Sequence, residues 1–143
     1  GWACDQAVVS ELADVVSAGG DVSSSHSDTV VSIEDPWGET VIDMVLGRGG
    51  LATSSTTRRR WNVGGVSANH LIDPRSAQPA HSPVYSATVM AASAVEAEAG
   101  AKAVLLLGAD GLAWAEQQAW IDAALVVWND GNVFATTGWE SAA

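Results

Sequence analysis

The stretch from Gly50 to Arg75 limits what this chain can fold into more than any other. Thr53-Ser54-Ser55-Thr56-Thr57 places five hydroxyl residues directly before Arg58-Arg59-Arg60. Such a run is too polar for a core strand and too poor in helix formers for a stable helix. It therefore reads as the exit of a short strand, Leu51 to Ser54, into a polar loop. Hydroxyls and backbone N–H groups beside guanidinium groups make either a solvated loop or a cradle for phosphate. A Gly64-Gly65 turn follows, then a strand from Ser67 to Ile72. That strand ends in His70-Leu71-Ile72-Asp73-Pro74, and its turn signal brings an imidazole and a carboxylate beside the loop. Pro74, Pro79 and Pro83 argue against regular structure in the next connection.

The flanking sequence reads mainly as hairpins. Trp2 to Leu12 has rough helical spacing. Val15 to Ala18 is strand-like, and Gly19-Gly20 is either an ordinary turn or a close backbone approach. Ser23 to Asp28 reads as polar loop. Thr29 to Ile33 and Thr40 to Leu46 are strands joined through Asp35-Pro36-Trp37-Gly38, which predicts an antiparallel hairpin. Tyr85 to Ala92 is a further strand. Ser93 with Glu96 forms a capping box that opens a helix ending at Gly108. A second helix is expected over Ala109 to Trp120. A strand at Ala124 to Trp128, a turn at Asn129-Asp130-Gly131 and a partner strand at Asn132 to Thr136 follow, and Gly138-Trp139 closes the ordered part. Successive hairpins with helices between them indicate a single α+β domain over residues 1–143, with a mostly antiparallel sheet and packed helices. Core packing is the expected role of Trp114, Trp120 and Trp128; Trp61 suits a pocket wall equally well.

Charge narrows the partners. The net charge is −11, and no Lys or Arg occurs before Arg48. Nucleic acid and anionic membrane surfaces are poor partners for such a chain. The three consecutive arginines are a local exception, suited to a small anion. Cys4 is the only cysteine, which excludes an internal disulfide and a cysteine-rich metal site. No apolar run approaches the ~20 residues needed to span a bilayer.

The two halves of the organising stretch together resemble the ApbE family, the bacterial FAD:protein FMN transferases. The family pattern is an Ala-Thr-Ser segment leading to an arginine, then His-x-Ile-Asp-Pro-x-[Thr/Ser]-Gly-x-Pro. Here these read Ala52-Thr53-Ser54 with Arg58, then His70-Leu71-Ile72-Asp73-Pro74-Arg75-Ser76-Ala77-Gln78-Pro79, with Ala77 in place of the family's glycine. The resemblance extends back to Gly19-Gly20-Asp21-Val22 and Gly1-Trp2-Ala3-Cys4-Asp5, and forward to Gly108. It implies an ApbE-like α+β fold from a bacterial source, cytoplasmic or exported. It also implies that this is the C-terminal portion of the family's length, the earlier segment lying upstream.

The activity implied by the resemblance is transfer of FMN from FAD to a Ser or Thr hydroxyl of an acceptor flavoprotein, with magnesium at the FAD pyrophosphate. The implied roles are His70 as the catalytic residue and Ser54, Arg58, Ile72, Asp73 and Lys102 at the flavin nucleotide. Asp73 is also suited simply to capping the Pro74 turn. Counting on from the His-x-Ile-Asp-Pro motif, the family's metal-ligating Asp and Thr fall on Glu98 and Lys102. Glu98 keeps a carboxylate for the metal; an ammonium has no lone pair and cannot ligate one. Glu98 and Lys102 are also a favourable i,i+4 surface pair, and the lysine is equally suited to touching phosphate directly. Two readings follow. One is a flavin transferase; the other is a flavin-nucleotide-binding or structural relative that has lost transfer.

Overall fold

The computed structural model describes residues 5–6, 14–26, 28–56, 60–63, 66–69 and 71–142, with backbone alone at 60–63, 66–69 and 140–142. Arg58 and His70 lie outside the described residues, as does most of the segment expected to be helical from Trp2 to Leu12; within that segment Asp5 and Gln6 are helical.

Six strands form one antiparallel sheet in the order β1-β2-β5-β10-β11-β12: β1 Val15–Ala18, β2 Asp21–Ser24, β5 Gly49–Ser55, β10 Val84–Ala91, β11 Ile121–Trp128 and β12 Val133–Ala135. Three two-stranded ladders accompany it: β3 Thr29–Glu34 with β4 Thr40–Leu46, β6 Arg60–Val63 with β7 Val66–Asn69, and β8 Ile72–Asp73 with β9 Gln78–Pro79. This is the expected hairpin-rich α+β architecture.

The central strands β5 and β10 are buried on both faces, because each face carries its own core. On one face lies α1, Ala94–Leu107. Its buried stripe, Ala94, Ala97, Gly100, Ala101, Val104 and Leu105, is built almost entirely of small and aliphatic residues. Small side chains let the helix axis approach the sheet closely. The approach is closest at Gly50, where a Cβ would stand 2.0 Å from the Ala94 nitrogen, so no larger residue fits without moving the helix. Leu71, Ala80, Val89, Ala87 and Val126 complete this core. On the other face the β3–β4 hairpin and α3, Thr137–Ala142, cover Val22, Leu51, Met90, Leu125 and Val127 with Ile33, Met44, Leu46 and Trp139.

The predicted Ser93 helix starts and stops where its caps require. Ser93 is extended, its hydroxyl accepts from the Glu96 N–H, and Gly108 at the far end has a φ of 61°. Other expectations need correction. Ser23 and Ser24 belong to β2, because Ser23 pairs with Gly50 in the sheet. Gly19-Gly20 is the β1–β2 turn, with φ values of 68° and 104°. The second helix is broken: a 3₁₀ turn, Gly108–Asp110, leads into α2, Gly111–Ala115, and the chain has left the helix before Trp120. The proline-rich connection still forms the β8–β9 ladder, since Pro79 sits at a ladder end where its missing N–H costs little. Residues after Gly138 continue in α3. Trp120 is 38% exposed and meets Trp114 edge-to-face at 6.0 Å rather than entering the core. Trp61's side chain lies outside the described residues.

Candidate functional site

Ser54 lies near the end of β5, opposite Ala87 of β10. Side chains alternate along a strand, so Ser54 shares the face of Ala52, the face covered by α1. It is half-buried there. The expected polar loop leaves β5 at this end, where the Thr56 N–H donates to the Tyr85 carbonyl.

The His-x-Ile-Asp-Pro segment reaches the same face. Leu71, which follows His70, is buried in the core beneath α1. Ile72 in β8 is 50% exposed, which leaves an aliphatic surface open to a ligand. Asp73 is committed to the turn after it. Its carboxylate accepts from the Arg75 backbone N–H at 2.9 Å, from Arg75 Nε at 3.0 Å and from Nη2 at 2.9 Å. Its carbonyl accepts from the Ser76 and Ala77 N–H groups. The side-chain and backbone hydrogen bonds from Arg75 hold the Asp73 carboxyl below the usual carboxylate range. Of the two roles open to Asp73, the structure displays the turn-closing one.

Arg75 also links the turn to the helix. Its Nη2 donates to the Leu106 carbonyl at 3.3 Å, near the C-terminal end of α1. Glu98, Lys102 and Leu106 are spaced by four and therefore share one helix face. The turn thus sits about one helical turn, ~6 Å of axial rise, beyond Lys102. The turn therefore meets the C-terminal end of α1 and not its N-terminal turn. Ala94 and Leu106 are about 18 Å apart along the axis, and the Asp73 turn is at the Leu106 end.

Lys102 donates to Glu98 within a half-exposed ion pair. The hydrogen bond from Lys102 lowers the Glu98 pKa. Magnesium takes near-octahedral oxygen ligation. Among the described residues no group of three or more His, Cys, Asp or Glu is placed to hold a metal ion. The one motif-matched carboxylate is already joined to an ammonium, which repels a cation. The residues described do not fit a magnesium site.

Sequence reasoning gave no role to Arg75 as a tie to α1 or to Asp5. The Asp5 carboxylate accepts from the Ala94 N–H at 2.8 Å, the Val95 N–H at 3.0 Å and the Ser23 hydroxyl at 3.0 Å. Both contacts are long-range, and no local spacing in the sequence reports them.

Residues 2–125 match the ApbE family. The chain belongs to the ApbE family. It is similar to a FAD:protein FMN transferase of Rhodobacter capsulatus, with 33% identity over 128 residues, which is 85% of this chain and 24% of the relative. Across 99% of its length it superposes on the ApbE protein of Thermotoga maritima with a TM-score of 0.84 at 26% identity, covering 50% of that chain. The flavinyl transferase ApbE of Pseudomonas stutzeri, apo form, matches 90% of this chain and 42% of its own, with a TM-score of 0.72 and 26% identity. The chain therefore has the ApbE fold. It spans about a quarter of the curated ApbE relative and half or less of these solved ApbE chains.

Proposed function

We propose that the α1 face of the sheet is part of a flavin-transfer site, which moves FMN from FAD to a Ser or Thr hydroxyl of an acceptor protein. The Rhodobacter relative's name, FAD:protein FMN transferase, supports this reading. The observation that carries it is the Arg75–Leu106 contact, which brings the motif turn to the helix face holding Lys102, on the sheet side of Ser54.

The roles follow from chemistry. Two phosphates must be neutralised, and a hydroxyl must lose its proton as it attacks. Arg58 and Lys102 supply positive charge to the pyrophosphate, with the Ser54 hydroxyl as a donor beside them. The Ile72 side chain offers an apolar surface to the flavin nucleotide, and the Asp73–Arg75 pair fixes the turn presenting it. The acceptor oxygen bonds to the FMN phosphorus, the pyrophosphate P–O bond breaks, and AMP leaves. The hydroxyl proton passes to His70, a general base whose ordinary pKa suits neutral pH. No step is assigned to magnesium, because Lys102 stands where the resemblance puts a metal ligand. The same substitution favours the second reading, a flavin-nucleotide binder without transfer.

Incubating the native polypeptide that carries this chain with FAD and candidate acceptor proteins separates the two. Transfer gives an acceptor band with flavin fluorescence in a denaturing gel and an added FMN mass, both lost in His70→Ala. FAD binding without any adduct, across acceptors with reactive Ser or Thr, supports the second reading.

A further inference from the structure

The sheet ends at β12, whose only ladder partner among the described residues is β11. The Trp128 N–H donates to the Asn132 carbonyl and the Thr136 N–H to the Ala124 carbonyl, both at 2.8 Å. Backbone groups alternate sides along an antiparallel strand. Asn132, Phe134 and Thr136 therefore turn theirs towards β11, and Val133 and Ala135 turn theirs out of the sheet. Apart from its three-residue length, β12 has none of the usual guards of a free edge: no Lys, no Pro and no bulge against β11.

Large apolar side chains gather at this edge from three elements. Phe134 is 53% exposed and Val133 38%. Phe134 lies opposite Val126, on the α1 face, and meets the half-buried Trp128 edge-to-face at 6.1 Å. Val133 lies opposite Val127, on the other face. Trp37, 68% exposed, reaches across from the β3–β4 turn to the β11–β12 turn, where a Cβ on Gly131 would stand 2.7 Å from its ring. Exposed aromatic surface of this kind marks interfaces.

A pocket of about 210 Å³ adjoins the edge on the α1 face, lined by Gly108, Ala109, Leu112, Val126, Trp128 and Phe134. It is smaller than small-molecule sites, at ~300–1,000 Å³, and suits one large apolar side chain. A free edge beside a side-chain pocket selects an extended peptide, because main-chain bonds supply affinity and the pocket supplies specificity. Charge selects the sign of that peptide. From Ala103 to Ala143 the sequence has five acidic residues and no Lys, Arg or His. Two of the acids stand at the ends of β12. Asp130 lies in the turn before it, and the Glu116 carboxylate accepts from the Thr137 N–H just after it, at 2.7 Å. A second copy of the chain, itself at −11, is repelled by the same charge.

We propose that the β12 edge docks an extended, basic segment of a partner protein, which pairs with Val133 and Ala135 and places one aromatic side chain in the adjoining pocket. The proposal does not depend on the flavin-transfer reading, and failure of FAD binding or of transfer leaves it intact.

The test adds a fluorescein-labelled peptide, Lys-Thr-Lys-Val-Phe-Val-Lys-Thr-Lys, to the native polypeptide that carries this chain. Binding is read by anisotropy, and strand addition by amide hydrogen exchange. The Val133 and Ala135 amides should exchange more slowly with peptide bound, while the Phe134 amide, already in the β11 ladder, should change little. Alanine in place of the peptide's phenylalanine should weaken binding by about tenfold or more, and glutamate in place of its lysines should abolish it. Ala135→Pro removes an outward N–H that the β11 ladder does not use, and should also abolish binding. If that variant does not fold, Phe134→Lys puts a cation at the pocket rim and should weaken the basic peptide at least as much as loss of its phenylalanine does. Three results would each overturn the proposal: no binding at millimolar peptide, as when a second copy or another part of the same polypeptide already covers the edge; equal binding of the alanine or glutamate peptide; or full binding by a folded Ala135→Pro or Phe134→Lys variant.

Discussion

The Asp5 carboxylate closes the N-terminus of α1 through the Ala94 N–H, 2.8 Å away and 89 residues along the chain. Ser93 caps the same helix locally through its hydroxyl. The first turn of α1 thus has two caps, one from its own sequence and one from the start of the chain. A carboxylate here also meets the positive end of the helix dipole. Asp5→Ala should cost about 1–2 kcal/mol, seen in urea unfolding as a lower midpoint with an unchanged slope. Asp5→Asn keeps an acceptor and should recover part of the loss.

Ala77 has a φ of 55°, the only non-glycine residue in the left-handed region among the described residues. Its N–H donates to the Asp73 carbonyl at 2.8 Å, so the turn holds it there. The resemblance places a glycine at this position, and the geometry explains why. A Cβ in that conformation costs about 1–2 kcal/mol, offset in part by the greater freedom glycine has when unfolded. Ala77→Gly should therefore stabilise the chain by about 0.5–1 kcal/mol, measured by thermal or urea unfolding.

Arg75 holds the Asp73 carboxyl below its usual range, chiefly through its side-chain hydrogen bonds. A carboxylate whose folded pKa is depressed adds stability above its unfolded pKa, near 3.9. That contribution is lost as pH falls through the folded value. The turn should thus stay closed through neutral and mildly acidic pH and open only below about 4. Carbon-detected NMR titration should show Asp73 titrating below an ordinary aspartate, and Arg75→Gln should move it back up.

Much of the fold was legible because it rests on local rules. Ser93 and Gly108 bound α1 by capping chemistry that needs no tertiary information. The β3–β4 hairpin follows from β-branched runs either side of Asp35-Pro36-Trp37-Gly38, and Asp35 accepts from the Trp37 and Glu39 N–H groups as such a turn predicts. What sequence reasoning missed depends on distant partners. Ser23 and Ser24 look like loop residues, yet pairing with β5 makes them strand. Trp114 to Trp120 suggests a continuing helix, yet the chain turns so that Ile121 can begin β11. For the proposed site, the motif only suggested Ile72, Asp73, Glu98 and Lys102 as candidates. It did not say which end of α1 the turn would meet, because that is settled by Arg75 reaching Leu106.

In the proposed flavin-transfer site, the Lys102 ammonium, held by Glu98, takes the place of a divalent cation on the α1 face. FAD titration of the native polypeptide by calorimetry, with magnesium or with EDTA, tests it most directly. Wild-type affinity should agree within about twofold in the two buffers. Lys102→Thr should weaken binding in EDTA by about tenfold or more, as loss of a charged phosphate contact does, and should make binding respond to magnesium. Loss of wild-type FAD binding in EDTA, or a Lys102→Thr variant indistinguishable from wild type, would contradict the claim and leave Glu98 and Lys102 as a surface ion pair.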